Sequence, residues 1–214
     1  MKSISQIGTF VKTPSPHVIE VIGTCGLDFA VVDAEHAAFD RSTLDIMMLA
    51  GLAAKIPLFV RIPEMNAAVV LSCLDLGAAG LLVPHVDSAQ QAREVVAMAR
   101  YRGGIRGYSG GPRAAGYATL LMSETLERGD ATPIFCQIES PEAVEAAADI
   151  AATDGVAGLF VGRADLALAM GLTDSRAPEG LAATQRVLDA AKDAGKWAGI
   201  HVANSLEREQ FTKQ

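Results

Sequence analysis

Short runs of apolar residues alternate along the chain with longer segments in which apolar residues recur at helical spacing. The runs predict seven strands, at residues 7–11, 28–33, 57–62, 80–86, 133–139, 157–162 and 197–202. Each run is continuously apolar, which is typical of parallel strands that are covered on both faces. The alternation of strands and helices therefore predicts an α/β domain built on a parallel sheet.

The segments between the strands predict helices at about 15–26, 41–54, 66–77, 88–100, 140–152 and 178–194. Ser15, Ser88 and Ser140 stand at expected N-caps, and Gly195 stands at an expected helix end. A polar segment of helical character follows at 205–210. The stretch 101–132 contains a glycine-rich part that cannot form a regular element, and loops of this length are usually lids or binding loops.

Polar residues end four of the predicted strands. Asp33, Glu35 and His36 end the second, Arg61 ends the third, Glu139 ends the fifth, and Asp165 ends the apolar run of the sixth. Such a ring of polar ends favours a (β/α)8 TIM barrel over a doubly wound sheet, in which they would gather at one switch point. We expect one barrel domain over residues 1–214. Its eighth strand and C-terminal helix are missing from the predicted elements, so the barrel is incomplete, the sequence lacks a piece, or a neighbouring subunit closes it.

The two acids Glu139 and Asp165 are candidates for holding a divalent metal ion. Two carboxylates, with water and substrate oxygens, form the oxygen octahedron that Mg²⁺ or Mn²⁺ prefers. The alternative is that each acid caps the helix that follows it. The residues alone leave both interpretations open.

Other polar residues at strand ends are candidates for acid–base and anion chemistry. His36 suits a general base near neutral pH, and its alternative is a structural histidine. Arg61 suits a substrate carboxylate or a developing enolate, and its alternative is a salt bridge to Asp33 or Glu35. Asp75 lies in an apolar helix, where it needs a partner such as a histidine unless it faces solvent.

Further histidines and arginines have weaker signals. His85 and His201 stand at the end of or inside predicted strands, where both are interpreted as structural. Arg106 and Arg113 lie in the glycine-rich stretch. Either could reach an anionic substrate, but pairing with an acid that orders the loop is the favoured interpretation.

Charge and composition exclude several classes of protein. A net charge of −7 argues against a nucleic-acid partner. Three widely spaced cysteines form no zinc or disulfide pattern and favour a reducing compartment. The N-terminus lacks the apolar stretch of a signal peptide, and no run reaches the roughly 18 apolar residues of a membrane span. These features predict a cytoplasmic protein with no membrane partner.

Several segments, taken together and in order, resemble the HpcH/HpaI aldolase family. The resemblance covers Gly8 to about Asn204, and each motif is weak alone although the ordered set is specific. The matching segments are Gly26–Phe29 through Asp33–His36, Val60–Pro63, Leu74–Ala78 through Val83–Pro84, Gly104–Gly107, Gln137–Glu139 and Gly162–Leu166.

The resemblance implies a class II aldolase with a (β/α)8 barrel, usually assembled as a hexamer, that depends on a divalent metal such as Mg²⁺, Mn²⁺ or Co²⁺. It cleaves a 4-hydroxy-2-oxo acid to pyruvate, or a related 2-oxo acid, and an aldehyde through a metal-stabilised enolate. By position, Glu139 and Asp165 are implied as the metal ligands. Gln137, the backbone at Ala164 and Asp165 are implied as substrate contacts.

The resemblance also implies three catalytic residues. His36 matches the general base, Asp75 matches the acid that makes this histidine more basic, and Arg61 matches the residue that stabilises developing charge. The chain departs from the family at Arg163, where the family usually has proline, and at Arg102–Gly103, where it often has two prolines. Arg163 either alters substrate preference or points outward.

Three alternatives to this function remain. An acyl-CoA lyase of the citryl- or malyl-CoA type would need a basic nucleotide site, but no lysine-rich patch fits one. A catalytically silent structural paralogue is opposed by the intact set of polar strand ends. A Schiff-base aldolase is disfavoured because no lysine is found at a strand end, and Lys55 and Lys196 precede their strands.

Overall fold

Seven parallel strands form the centre of the protein. The computed structural model describes residues 6–212. The strands are β1 (Gly8–Val11), β2 (Phe29–Asp33), β3 (Leu58–Arg61), β4 (Gly80–Val83), β5 (Ile134–Ile138), β6 (Val156–Val161) and β7 (Trp197–Ile200). They pair in sequence order, and every neighbouring pair is parallel. The prediction of seven strands in a parallel α/β sheet is confirmed.

The sheet is curled like part of a barrel. The ring centroid of Phe10 on β1 lies 5.9 Å from that of Phe160 on β6. Strands that are five positions apart in the sheet can touch only if the sheet bends round to bring them together. The fold is therefore TIM-barrel-like with seven strands, and no eighth strand occurs within residues 6–212.

Helices follow the strands and cover the outside of the sheet. They are α1 (Pro16–Gly23), α2 (Arg41–Ala54), α3 (Ala67–Asp75), α4 (Ala89–Ala99), α5 (Met122–Asp130), α6 (Pro141–Glu145), α7 (Ala147–Ala152), α8 (Arg163–Ala169), α9 (Pro178–Asp193) and α10 (Ser205–Thr212). Ser88 and Ser140 cap α4 and α6 as predicted, by accepting backbone N–H groups at 3.3 and 3.0 Å. None of the helices within residues 6–212 has both the length and the apolar character needed to cross a membrane.

The structure corrects several predicted elements. The stretch 101–132 contains α5, whose first turn is capped where Glu124 accepts the Leu121 backbone N–H at 2.9 Å. The predicted helix 140–152 is divided at Ala146 into α6 and α7. Strand β4 ends at Val83 and not at residue 86, because Pro84 has no N–H to donate to a neighbouring strand.

The amino ends of the strands are closed by aromatic rings. Phe59 lies between Phe29 and Phe135, with centroid separations of 5.6 and 5.8 Å and edge-to-face contacts. Glycine makes room for these rings, since a Cβ on Gly8 would lie 2.4 Å from Phe29 and one on Gly80 would lie 2.4 Å from Phe59. The amino ends of these strands are therefore lined by apolar rings, and the polar strand ends lie at the opposite end of the barrel.

Candidate functional site

The carboxyl ends of the strands bring charged and polar side chains together at one end of the barrel, here called the mouth. A continuous series of ion pairs and hydrogen bonds joins its members, which are Lys12, Asp33, Glu35, His36, Arg61, His85, Gln137 and Glu139. They come from the ends of β1 to β5. The predicted gathering of carboxylates, an imidazole and a guanidinium at one end of the barrel is present.

The salt bridge between Asp33 and Arg61 is set by the register of the sheet. The two residues are paired across β2 and β3, and both are buried. Arg61 donates from Nε and Nη2 to the two Asp33 oxygens at 2.9 and 2.7 Å. Burial acts to raise the pKa of Asp33, but the hydrogen bonds from Arg61 and the His36 backbone, together with the charges of Arg61 and Lys12, outweigh it and lower that pKa. The salt bridge given as the alternative for Arg61 therefore exists, and it holds the guanidinium at the mouth.

Glu35 and His36 extend this ion pair toward solvent. Arg61 Nη1 lies 3.2 Å from Glu35 Oε2, and His36 Nε2 lies 3.7 Å from the same oxygen. Burial raises the pKa of Glu35 more than Arg61 lowers it. The His36 backbone N–H donates to Asp33 at 3.2 Å, while its side chain is half exposed. The ring is thus anchored at its base and can reach a bound substrate.

Glu139 is a buried carboxylate that follows β5 directly, as predicted. Its oxygens accept hydrogen bonds from the Gln137 side-chain amide and, at 2.7 Å, from the His85 backbone N–H. A Cβ on Gly162 would lie 2.7 Å from Glu139 Oε2. Any residue other than glycine at this position would therefore displace the Glu139 carboxylate. None of the contacts described for Glu139 is to a lysine or an arginine.

The prediction that Asp165 ends the sixth strand is wrong. Strand β6 ends at Val161, and Asp165 is exposed in the first turn of α8 together with Ala164. It follows Gly162 by three residues, which puts this turn beside Glu139. Arg163, between them, contacts α10: its Nη1 lies 3.4 Å from Glu207 Oε2, and its guanidinium lies over the ring of Phe211.

Sequence reasoning missed two residues at the mouth. Lys12 follows β1 directly, and its Nζ lies 3.4 Å from Asp33 Oδ2. The statement that no lysine ends a strand was therefore wrong. Arg61 was located because it ends an apolar run, and the same rule would have found Lys12. Its side chain is 58% exposed and beside a carboxylate, which is opposite to the apolar setting that activates a Schiff-base lysine. His85, interpreted as structural, lies between Glu35 and Glu139.

Asp75 and the loop arginines lie in a separate cluster. The Asp75 carboxylate accepts from Arg106 Nη2 at 2.9 Å, and the structure does not bring it to His36. Arg113 donates to the Leu76 carbonyl at 2.6 Å and pairs with Asp45 at 2.8 Å. Both arginines therefore order the loop by pairing with an acid, as expected. The predicted effect of Asp75 on His36 stays a prediction.

The donors at the mouth fit a divalent cation. Asp33 and Glu35 are paired with the two permanent cations Arg61 and Lys12, whereas no lysine or arginine is among the contacts described for Glu139. A buried carboxylate needs compensating charge, and a divalent ion would supply it. Within residues 6–212 no preformed group of three or more His, Cys, Asp or Glu side chains has metal-binding geometry. A hard ion that keeps several water or substrate oxygens suits such an open site.

The buried Gln137 side chain supplies a further oxygen. Its Oε1 has no hydrogen-bond partner among the described residues, although the residue is 1% exposed. A buried acceptor without a partner costs free energy unless a ligand or water satisfies it. This oxygen therefore also fits a site for a bound group.

This chain is similar in sequence and fold to known proteins. The 5-keto-4-deoxy-D-glucarate aldolase of Klebsiella pneumoniae is 38% identical over 197 residues, which cover 91% of this chain and 77% of that protein. The crystal structure of a HpcH/HpaI aldolase/citrate lyase family protein from Burkholderia cenocepacia matches with a TM-score of 0.92 and 31% identity, over 98% of this chain and 84% of the other.

A more distant structure shares the fold alone. The citrate lyase beta subunit from M. tuberculosis, complexed with oxaloacetate and magnesium, has a TM-score of 0.62 and 17% identity, over 98% of this chain and 84% of the other.

The sequence profile of the HpcH/HpaI aldolase/citrate lyase family matches residues 6–214. The chain therefore belongs to the HpcH/HpaI aldolase/citrate lyase family and is an enzyme of the class II aldolase type.

Proposed function

We propose that this enzyme cleaves a 4-hydroxy-2-oxo acid to pyruvate, or a related 2-oxo acid, and an aldehyde, with the help of a divalent metal ion. One observation carries the proposal: the mouth combines an anchored guanidinium, an accessible imidazole and a buried carboxylate, Glu139, with no lysine or arginine among its described contacts. Each is a part that this reaction needs. A cation must hold the anionic substrate, a base must take the hydroxyl proton, and a positive group must stabilise the enolate.

Glu139 and Asp165 are the proposed protein ligands of the metal ion. Glu139 is held in place by His85 and Gln137, and Asp165 lies one turn beyond Gly162. The chemistry that such an ion supplies is that of a Lewis acid and an orienting template for the 2-oxo acid. Mg²⁺, Mn²⁺ and Co²⁺ all suit the donors, and the choice among them belongs to experiment.

His36 is the proposed base. In the cleavage direction it takes the proton of the 4-hydroxyl, the carbonyl of the aldehyde forms, and the bond between C3 and C4 breaks. Its half-exposed ring, anchored through the backbone to Asp33, can meet a substrate without a large movement. Glu35 Oε2 lies 3.7 Å from His36 Nε2, so a carboxylate faces the ring that takes the proton.

Arg61 is the proposed group that stabilises the enolate. The electron pair of the broken bond moves onto the 2-oxo oxygen, and a fixed positive charge beside that oxygen needs no reorganisation during the reaction. The contacts to Asp33 and Glu35 fix the guanidinium before the substrate arrives. A proton then adds to the enolate carbon and gives the 2-oxo acid.

Gln137 and the backbone at Ala164 are the proposed further substrate contacts, together with Asp165. Gln137 Oε1 is a buried acceptor without a partner in the described residues, which supports a role toward a bound group. Ala164 is exposed in the turn that begins α8.

The first substrate to test is 5-keto-4-deoxy-D-glucarate, since a relative 38% identical to this chain is named for it. The compound is a six-carbon dicarboxylate in which a carbonyl, a methylene and a hydroxyl-bearing carbon follow one carboxylate in that order. It is therefore a 4-hydroxy-2-oxo acid when numbered from that carboxylate. Its second carboxylate requires a further cation, and Lys12, which is exposed at the mouth, suits this role.

The decisive experiment follows the methyl protons of pyruvate in D2O by NMR. The enzyme with Mg²⁺, Mn²⁺ or Co²⁺ is expected to exchange these protons, because enolate formation needs no aldehyde partner. Excess EDTA should stop the exchange, and cleavage of 5-keto-4-deoxy-D-glucarate should then be tested with the same metal. Exchange without any metal would contradict the proposed mechanism, and no exchange with any metal would indicate a silent paralogue or a different 2-oxo acid.

We also propose that the enzyme is a homo-oligomer. Val21 on α1 and Ile46, Leu49 and Leu52 on α2 are at least half exposed, and α1 and α2 pack against each other. An apolar surface of this kind is costly in water and is a common feature of subunit interfaces. Sedimentation velocity would test the proposal, and a monomer at micromolar concentration would contradict it.

A further inference from the structure

His85 stands at the mouth in an unusual backbone conformation. It follows Pro84 at the end of β4, and its φ angle is 54°, in the left-handed region that non-glycine residues seldom adopt. Residues held in this region cost free energy and often occur at functional sites. The side chain is 67% exposed, so packing does not explain why a histidine is placed there.

Both nitrogens of the His85 ring face carboxylates. Nδ1 lies 3.1 Å from Glu139 Oε1, and Nε2 lies 3.5 Å from Glu35 Oε1. The His85 backbone N–H donates to the same Glu139 oxygen at 2.7 Å, which fixes the two residues relative to each other. The ring therefore bridges the acid that ends β5 and an acid that follows β2.

The distance between His85 Nδ1 and Glu139 Oε1 matches the separation of two atoms that bind one metal ion. Two donor atoms that bind the same ion at about 2.1 Å and at right angles are about 3 Å apart. The Nδ1 to Oε1 separation has this value. Histidines that bind metals also give their second nitrogen to a carboxylate, which orients the ring, and Glu35 stands at that place.

We infer that His85 binds the divalent ion through Nδ1, next to Glu139, and that Glu35 orients the ring through Nε2. The inference rests on the proposed function, since it assumes the metal site at Glu139. It adds a nitrogen to a site otherwise made of oxygen donors. Because imidazole favours later transition metals whereas carboxylates suit Mg²⁺, His85 should raise the preference of the enzyme for Co²⁺ over Mg²⁺.

The test is pulsed EPR of the enzyme loaded with Mn²⁺, which detects a nitrogen bound directly to the ion. The chain has four histidines, at positions 17, 36, 85 and 201, so each can be replaced alone by asparagine. Asparagine tolerates the left-handed conformation better than most residues, so His85→Asn is expected to keep the fold. The nitrogen signal should be present in the wild type, lost in His85→Asn and kept in the other three variants.

Calorimetric titration with metal alone is the second measurement. His85→Asn is expected to weaken Co²⁺ binding by about 10–100-fold, whereas Mg²⁺ binding should change by less than about threefold. Glu35→Gln should weaken Co²⁺ binding in the same direction and by less, with the nitrogen signal kept.

The outcomes separate this inference from the proposed function. If Mn²⁺ binds with affinity that depends on Glu139 but shows no nitrogen signal, His85 is not a ligand and the proposed function stands. If His36→Asn removes the signal while His85→Asn keeps it, the inference is also overturned. If Mn²⁺ does not bind at all, both proposals fail.

Discussion

The two halves of the mouth are charged in different ways. In the half formed by β1 to β3, Asp33 and Glu35 each lie within 3.2 Å of Arg61, and Lys12 adds a second cation to Asp33. In the half formed by β5 and β6, the contacts described for Glu139 come from the Gln137 amide and from His85. One half thus carries its own counterions, whereas the other presents a buried carboxylate with no lysine or arginine among its described contacts.

The difference in charge indicates that the two halves of the mouth have different functions. A carboxylate with fixed counterions is suited to positioning, because its charge and geometry do not change when the substrate binds. A buried carboxylate without one is suited to receiving a cation from solution. We therefore expect changes at Glu139 to act through metal binding, and changes at His36 and Arg61 in the β1 to β3 half to act through stability and rate.

The largest effect is expected at Glu139. Glu139→Gln keeps the shape and one oxygen but removes the charge, so divalent metal should no longer bind at micromolar concentration and activity should be abolished. Calorimetric titration and the cleavage assay measure the two effects. The free energy of unfolding without metal should change little or rise, because a buried charge has been removed. Unchanged metal affinity in this variant would mean that the two halves do not differ as described.

His36 in the other half should affect rate without affecting metal. His36→Ala is expected to lower kcat by about 10²–10⁴-fold, the usual contribution of a positioned base, with metal affinity within about threefold of the wild type. Steady-state kinetics at saturating metal, together with titration, check both numbers. A variant that turns over at nearly the wild-type rate would remove His36 from the mechanism.

Arg61 should affect both rate and stability, because it serves the enolate and two acids. Arg61→Lys keeps the charge but loses the planar fork, and it is expected to lower kcat by about 10²–10³-fold. Arg61→Ala should in addition lower the free energy of unfolding by about 3–5 kcal/mol, because Asp33 is fully buried and would lose its partner.

Lys12 provides the matched control for Arg61. It also contacts Asp33, but its side chain is 58% exposed, so Lys12→Met should cost no more than about 1 kcal/mol of stability. Chemical denaturation measures both variants. If Arg61→Lys raised KM alone, the guanidinium would be an anchor for a substrate carboxylate and not the stabiliser of the enolate.

The same contrast explains what the sequence could predict. Asp33, Arg61 and Glu139 were located because they follow continuous apolar runs, and parallel strands bring their ends to one place. Asp165 was misplaced because its apolar run continues past β6 into α8, and a short apolar run has no period that separates strand from helix. The helix α5 was missed because the glycines before it dominated the interpretation of the whole stretch.

Contacts between distant strands were beyond sequence reasoning. Nothing in the neighbourhood of His85 shows that it meets Glu139, which is 54 residues away. The pairing depends on the left-handed conformation of His85 after Pro84, which few non-glycine residues adopt and which the sequence does not signal. Asp75 likewise needed a partner, but the chain offers both histidines and arginines, and the fold brings it Arg106.

Asp75 thus has a described partner other than the expected histidine, and the smallest effect on metal binding and rate is expected there. Asp75→Asn removes the negative charge that pairs with Arg106, whose side chain is 1% exposed, and should lower the free energy of unfolding by about 1–3 kcal/mol. It lies outside both halves of the mouth, so metal affinity should not change. The pH profile of kcat/KM tests its predicted effect on His36. If Asp75 acts on His36, the acid limb of the Asp75→Asn profile is expected to move to lower pH, whereas an unchanged limb would mean that Asp75 acts only by ordering the loop through Arg106.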